Sequence, residues 1–231
     1  MFDLSPAEWI AVELSLRIAI VATLVALPFG IAVAWLLARK DFWGKAIVDG
    51  LVHLPLVLPP VVTGYLLLLT FGRKGLVGGW LESIGIVFAF RWTGAALACG
   101  VMGFPLMVRA IRLAMDAVDP RLELAARTLG AGPARVFFTI TLPLAATGIA
   151  TGAMLAFARA LGEFGATITF VSNIPGETQT LPLAIYTFTE VPGGDAQAMR
   201  LSILSVLLSL LALALSEWLT RRRAPAEPRR G

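Results

Sequence analysis

Few residues in this chain are equipped for chemistry. Glu13–Arg17 and Arg159–Glu163 are opposite charges four apart at the edges of long apolar runs. On a helix, such pairs face and neutralise each other. Arg159 is also a cation set among apolar residues, where it would attract an approaching anion. His53 is the single histidine and Cys99 the single cysteine. Neither belongs to a cluster with metal-ligand spacing, so no metal site is expected. Cys99 reads as a small buried hydrophobe and His53 as a solvated side chain near an interface. There is no carboxylate pair, no nucleophile beside a base and no Gly-x4-Gly-Lys-Ser/Thr phosphate loop. No catalytic residue and no cofactor of the chain's own are therefore expected.

Hydroxyls and prolines are the other candidates. Thr147 and Thr151 flank a Gly148-x3-Gly152 pattern, which favours close helix packing and leaves hydroxyls for weak contact with a passing solute. Pro55, Pro59 and Pro60 interrupt an apolar run just before Thr63 and Gly64. Prolines remove ladder hydrogen bonds, so this run reads as a kinked or broken helix. Pro59, Pro60, Thr63, Thr147, Thr151 and Arg159 are thus the candidates for lining a pathway.

The elements that must carry these residues follow from composition. Apolar residues make up 58% of the 231-residue chain and charged residues only 15%. A soluble domain carries about 25% charged residues, so this chain needs lipid as part of its solvent. A spanning helix takes roughly 20 apolar residues. Five runs meet or approach that length: 18–38 with an extension back toward Trp9, 51–71, 93–108 with a possible extension to Met115, 136–158 and 201–219. The expected fold is therefore all-α and polytopic. Asp3 and Glu8 precede the first run, which argues against a cleaved signal and for a retained span.

Basic residues orient the spans. With the N-terminus outside, thirteen lysines and arginines fall on the inner side and four on the outer. That asymmetry satisfies the positive-inside rule and puts the C-terminus in the cytoplasm. It also explains the formal charge of +4 without nucleic acid. Residues 9–220 read as the membrane domain and 221–231 as a basic, disordered cytoplasmic tail at the lipid surface. Between the fourth and fifth runs, 181–189 reads as a short interfacial or re-entrant helix.

The polar stretch between the third and fourth runs has marked ends. Asp119 is suited to cap a helix, Pro120 to begin it, and Gly130 with Gly132-Pro133 to end it. Glu123 and Arg127 are spaced as an i,i+4 pair. A helix over 120–129 spans about 15 Å and cannot cross the hydrocarbon. It reads either as a docking knob for a partner's groove or as an amphipathic connector on headgroups.

The spacing of Ala125-Ala126, Gly130 and Ile140-Thr141-Leu142-Pro143 resembles the loop motif of ABC-importer membrane subunits. That motif is Glu-Ala-Ala, three residues, Gly, nine residues, Ile, one residue, Leu-Pro. Leu124 stands at its glutamate position, and the acid, Glu123, lies one residue earlier. The runs 54–62, 159–166 and 173–178 resemble the molybdate permease branch, and Gly162-Glu163-Phe164-Gly165 is shared in similar form with sulfate/thiosulfate permeases. The resemblance implies a type I importer fold in a bacterial inner membrane, a second copy of the chain, two cytoplasmic ATPase subunits that bind ATP, and an extracytoplasmic molybdate-binding protein. It also implies that 120–129 is a coupling helix, with Pro120, Glu123, Leu124, Ala125, Ala126, Arg127, Gly130, Ile140, Leu142 and Pro143 serving contact with the ATPase subunit. A sulfate or tungstate permease, and a stand-alone carrier or channel, are the competing expectations.

Overall fold

A capping box sets the first element. In the computed structural model, which describes residues 4–223 and their side chains as far as Ala214, Ser5 Oγ accepts from the Glu8 amide at 3.3 Å and Glu8 Oε2 accepts from the Ser5 amide at 2.6 Å. Both give orphan helix-end donors a partner. Helix α1 then runs over Pro6–Arg39, 34 residues. At 1.5 Å per residue it is about 51 Å long, well beyond the roughly 30 Å of hydrocarbon. It takes in the expected extension back toward Trp9 and begins three residues before it, where the capped polar turn nucleates it.

The second apolar run is not one rod. It forms α2 (Lys45–Val57) and α3 (Pro60–Phe71), and the chain turns by 116° between them. Pro59 and Pro60 provide no amide hydrogens at the corner. The run expected to cross over 51–71 is thus a bent pair of helices, broken at the expected prolines. Helix α4 (Gly78–Ser83) is a short connecting element. Helix α5 (Trp92–Asp116) is unbroken and fills the whole extended range read from the sequence.

The next stretch contains α6 (Pro120–Thr128) and α7 (Pro133–Val136). A π-helical turn follows over Phe137–Thr141, then α8 (Leu142–Leu144) and α9 (Ala146–Leu161). The axis bends by 69° at Ala145, so the fourth run is also a bent pair rather than a rod. Pro143 lacks an amide to close an α-helical bond, and Thr139 Oγ1 donates to the Arg135 carbonyl at 2.6 Å. A missing donor and a back-bonding hydroxyl are recognised causes of helix widening and bending.

Helix α10 (Gly165–Val171) and helix α11 (Leu181–Glu190) occupy the segment before the last span. The short helix expected over 181–189 is present. Helix α12 runs over Asp195–Arg223. It continues through Arg221, Arg222 and Arg223, which were expected to begin a disordered tail, because a helix already propagating extends at little cost. Residues 224–231 of that expected tail lie outside the described residues. Among the described residues no strand occurs, and α1, α5 and α12 are each long and apolar enough to cross a bilayer. The two bent pairs raise the number of candidate crossings to five.

Small residues draw the central helices together. A Cβ on Gly152 of α9 would lie 2.8 Å from the Met107 carbonyl of α5, and one on Gly103 would lie 3.1 Å from the Ala156 carbonyl. Gly148 meets Ala114 in the same way. Gly30 of α1 presses on the Met107 sulfur from the other side, at 2.7 Å for an added Cβ. With no hydrophobic force between helices in lipid, such close contact is what holds the bundle. The Gly148/Gly152 pattern is therefore a packing device. Polar tethers complete the frame. Fully buried Glu8 pairs with Arg200 at 3.0 Å, joining the starts of α1 and α12. Ser15 Oγ accepts from the Leu181 amide at 2.6 Å, joining α1 to α11.

Candidate functional site

The geometry around α6 differs from a free amphipathic helix. Asp119 caps it, its carboxylate accepting from the Arg121 amide at 2.9 Å. Gly130 ends it with φ of +85°, a left-handed conformation that glycine adopts freely. Leu122, Leu124 and Leu129 are 49%, 63% and 89% exposed. Ala125 and Arg127 are also exposed. The one buried residue of α6 is Glu123.

Glu123 makes a long-range contact that spacing did not foretell. Its Oε1 accepts from Arg39 Nε at 2.9 Å and from Thr141 Oγ1 at 2.8 Å. Arg39 also donates through Nη2 to the Val118 carbonyl at 3.3 Å. The expected Glu123–Arg127 pair is corrected: the glutamate turns inward and Arg127 outward. A largely desolvated guanidinium from another helix outcompetes a surface i,i+4 partner worth a few tenths of a kcal/mol. Glu123 therefore faces the bundle. Of the remaining residues expected to serve docking, Pro120, Leu124, Ala125 and Arg127 are exposed on α6, Ala126 is half-buried, and Gly130 is exposed just after it. Ile140, Leu142 and Pro143 lie at the π-helical turn and the bend.

The candidate pathway residues fall into two groups. At one junction, a Cβ on Gly165 of α10 would sit 2.8 Å from the Pro60 ring, and one on Gly64 would sit 2.5 Å from the Ala166 carbonyl. Thr63, 5% exposed, lies in this tight contact with no protein partner for its hydroxyl. Arg159 reaches the same junction by pairing with Glu163 at 2.6 Å, as the spacing predicts. Glu163 is 1% exposed, and its Oε1 accepts from the Ala166 amide at 2.8 Å, capping α10. Arg159 is thus largely neutralised by a buried acid. Thr147 and Thr151 are elsewhere, about 18 Å and 12 Å back along α9. The Thr151 hydroxyl donates to the Thr147 carbonyl at 2.9 Å. These six residues do not converge on one site.

Other expectations are revised in detail. The Glu13–Arg17 pair does not form; the Arg17 guanidinium lies 3.9 Å over the Trp92 ring, a contact that rivals an exposed ion pair. His53 is not simply solvated: its Nδ1 lies 2.8 Å from the Asp49 carbonyl and 3.3 Å from Asp49 Oδ1. Asp49 also accepts from Arg112 at 3.1 Å, fixing α2 to α5. Cys99 is buried as expected. Sequence reasoning missed Arg39, Thr141 and Asp49. Each lies more than 60 residues from a partner or in a run that reads as apolar, so no periodicity marks it.

Residues 26–225 match the family described as binding-protein-dependent transport system inner membrane components. The chain belongs to that family. Among its relatives in this family is the molybdenum transport system permease protein ModB of Escherichia coli (strain K12), 62% identical over 94% of this chain and 96% of that protein. The ModB protein of Haemophilus influenzae is 57% identical over 92% of this chain and 93% of its own length. The sulfate transport system permease protein CysW of Synechocystis is 34% identical over 90% of this chain and 76% of that protein. Among solved structures, a chain of the MetNI methionine ABC transporter superposes with a TM-score of 0.74 at 18% identity, covering 96% of this chain and all of that one. A chain of a bacterial alginate ABC transporter, solved with a periplasmic protein, gives 0.75 at 19% identity, covering 96% and 83%. The fold is that of type I ABC-importer membrane subunits.

Proposed function

We propose that this chain is the permease subunit of an ATP-driven importer of molybdate. The observation that carries the reading is the 62% identity to a molybdenum permease along 94% of the chain. Two copies of the subunit enclose the pathway in a bacterial inner membrane. Two cytoplasmic ATPase subunits bind and hydrolyse ATP, and an extracytoplasmic binding protein delivers the anion. The chain itself carries no nucleotide site and acts on no covalent bond. The N-terminus lies outside and the C-terminus in the cytoplasm, in keeping with the arginine and lysine distribution. Residues 9–220 make the membrane domain.

Helix α6 docks in the ATPase subunit. Its support is the exposed row of Leu124, Ala125 and Leu129 with Arg127 beside it, on a capped helix outside the spans. Amphipathic knobs of this size seat in grooves. Pro120, Ala126 and Gly130 shape the knob; Ile140, Leu142 and Pro143 shape the bend behind it. When ATP draws the ATPase subunits together, α6 moves with its groove and the two bundles exchange outward and inward openings. Pro59, Pro60, Thr63, Thr147, Thr151 and Arg159 line the route, and neutral hydroxyls release a dianion more readily than paired arginines would.

Two experiments test this. Leu124→Arg puts a charge into the docking row; the subunit still inserts, but the ATPase subunits no longer copurify and uptake stops. Retained ATP-driven uptake removes α6 from the contact. In competition assays, unlabelled molybdate blocks labelled molybdate uptake and sulfate does not. Equal competition by sulfate moves the substrate to the CysW side of the family, and uptake without ATPase subunits replaces the importer with a stand-alone carrier.

A further inference from the structure

A nine-residue helix whose single buried residue is a carboxylate has an unusual anchor. Hydrophobic burial holds most surface helices. Here the attachment is polar and converges on one atom. Glu123 Oε1 takes one bond from Arg39, the last residue of α1, and one from Thr141, the last residue of the π-helical turn. Side-chain exposures of 15% for Arg39 and 10% for Glu123 keep water from competing. Arg39 holds the entry to α6 as well, through the carbonyl of buried Val118. The exit is loose by comparison: Gly130 and Gly132 have nothing within 4 Å of an added Cβ.

We infer that Arg39, Glu123 and Thr141 form the mechanical tie through which displacement of α6 reaches the membrane. They are positioning residues, acting through other elements and touching no substrate. The inference rests on the docking role of α6 proposed above. Two elements receive the motion. One is α1, an unbroken helix that continues from Arg39 to the Glu8–Arg200 latch at its far end. The other is the π-helical turn, a geometry frequent at functional sites, which leads into the 69° corner at Ala145 and so into α9. The Trp35–Phe137 edge contact, with ring centroids 5.8 Å apart, binds the same two elements together and keeps them moving as one. A salt-bridged, hydrogen-bonded tie has the stiffness for this, because its geometry tolerates little slack.

The test uses the complete complex, permease with its ATPase subunits, reconstituted in liposomes. The reading is molybdate accumulated per ATP hydrolysed. In Glu123→Ala the ATPase subunits still copurify, while the ratio falls at least about fivefold, the lower range of coupling between sites. The exchange Arg39→Glu with Glu123→Arg restores part of that ratio, and a double variant no better than Glu123→Ala overturns the tie. An unchanged ratio in Glu123→Ala overturns the tie. So does loss of the ATPase subunits from a Glu123→Ala permease that is still folded, since the glutamate is then a docking contact. Where Glu123→Ala fails to accumulate, Thr141→Val removes one donor and keeps the shape; its ratio falls, and an unchanged one overturns the inference. Failure of the docking role is separate, because it appears as copurification surviving Leu124→Arg whatever the glutamate variants do.

Discussion

At the scale of single residues, charge placement decides more than charge number. Glu163 is 1% exposed, yet it serves two ends at once: it neutralises Arg159 and caps α10. Removing one member of a buried pair leaves the other unpaired, at a cost of about 3–5 kcal/mol. Arg159→Met, which strands the buried acid, is therefore expected to lower the melting temperature of the solubilised subunit by about 6 °C or more, read by thermal scanning fluorimetry. Glu163→Ala is milder, because the Arg159 side chain it leaves is 28% exposed and meets water, and the further loss is the bond to the Ala166 amide. If Glu163→Ala melts lower than Arg159→Met, the stranded buried acid is not the costly species. Thr63 makes the opposite point. Its hydroxyl is buried without a protein partner, so Thr63→Val exchanges an unsatisfied group for an apolar one of like shape. Stability is expected to hold or rise. Uptake measured beside it tells whether the hydroxyl serves the solute.

At the scale of elements, the bundle depends on places where side chains are absent. Met107 of α5 is gripped by Gly30 from α1 and by Gly152 from α9. Gly152→Leu drives a side chain into the Met107 carbonyl and Ile111, and the helices must part. Overpacking of this kind costs about 1–3 kcal/mol. Gly162→Ala is the control: nothing lies within 4 Å of its added Cβ, and its effect stays within about 0.5 kcal/mol. Equal losses in the two would show that close approach is not what holds α5 to α9. The bends have a similar logic. Prolines at 59, 60 and 143 break ladders that lipid would otherwise enforce. Such corners persist where protein, not hydrocarbon, surrounds the freed carbonyls.

At the scale of the whole molecule, the frame joins its two ends through α1. One end holds the Glu8–Arg200 latch, the other the Arg39–Glu123 tie. Orientation is the property that a labelling experiment reads directly. In a Cys99→Ser background, a cysteine at Leu124 is expected to react with an impermeant maleimide only in inside-out vesicles. A cysteine at Trp80, 65% exposed on α4, is expected to react only in right-side-out cells. The reverse pattern inverts the topology and removes α6 from reach of any cytoplasmic motor.

Much of this was written in the chain by local rules. An apolar excess dictates helices in lipid, because backbone polar groups there have no other partner. Asp119, Pro120 and Gly130 mark the ends of α6 through capping chemistry that spans three or four residues, and Arg159 meets Glu163 by helical spacing alone. Other features belong to the tertiary structure only. Glu123 turns from Arg127 to Arg39 because the choice between a near, hydrated partner and a distant, desolvated one depends on what burial the fold provides. Arg17 leaves Glu13 for Trp92 on the same ground. The angle at each proline corner, 116° and 69°, is likewise set by packing, since a missing amide permits a bend without fixing its size.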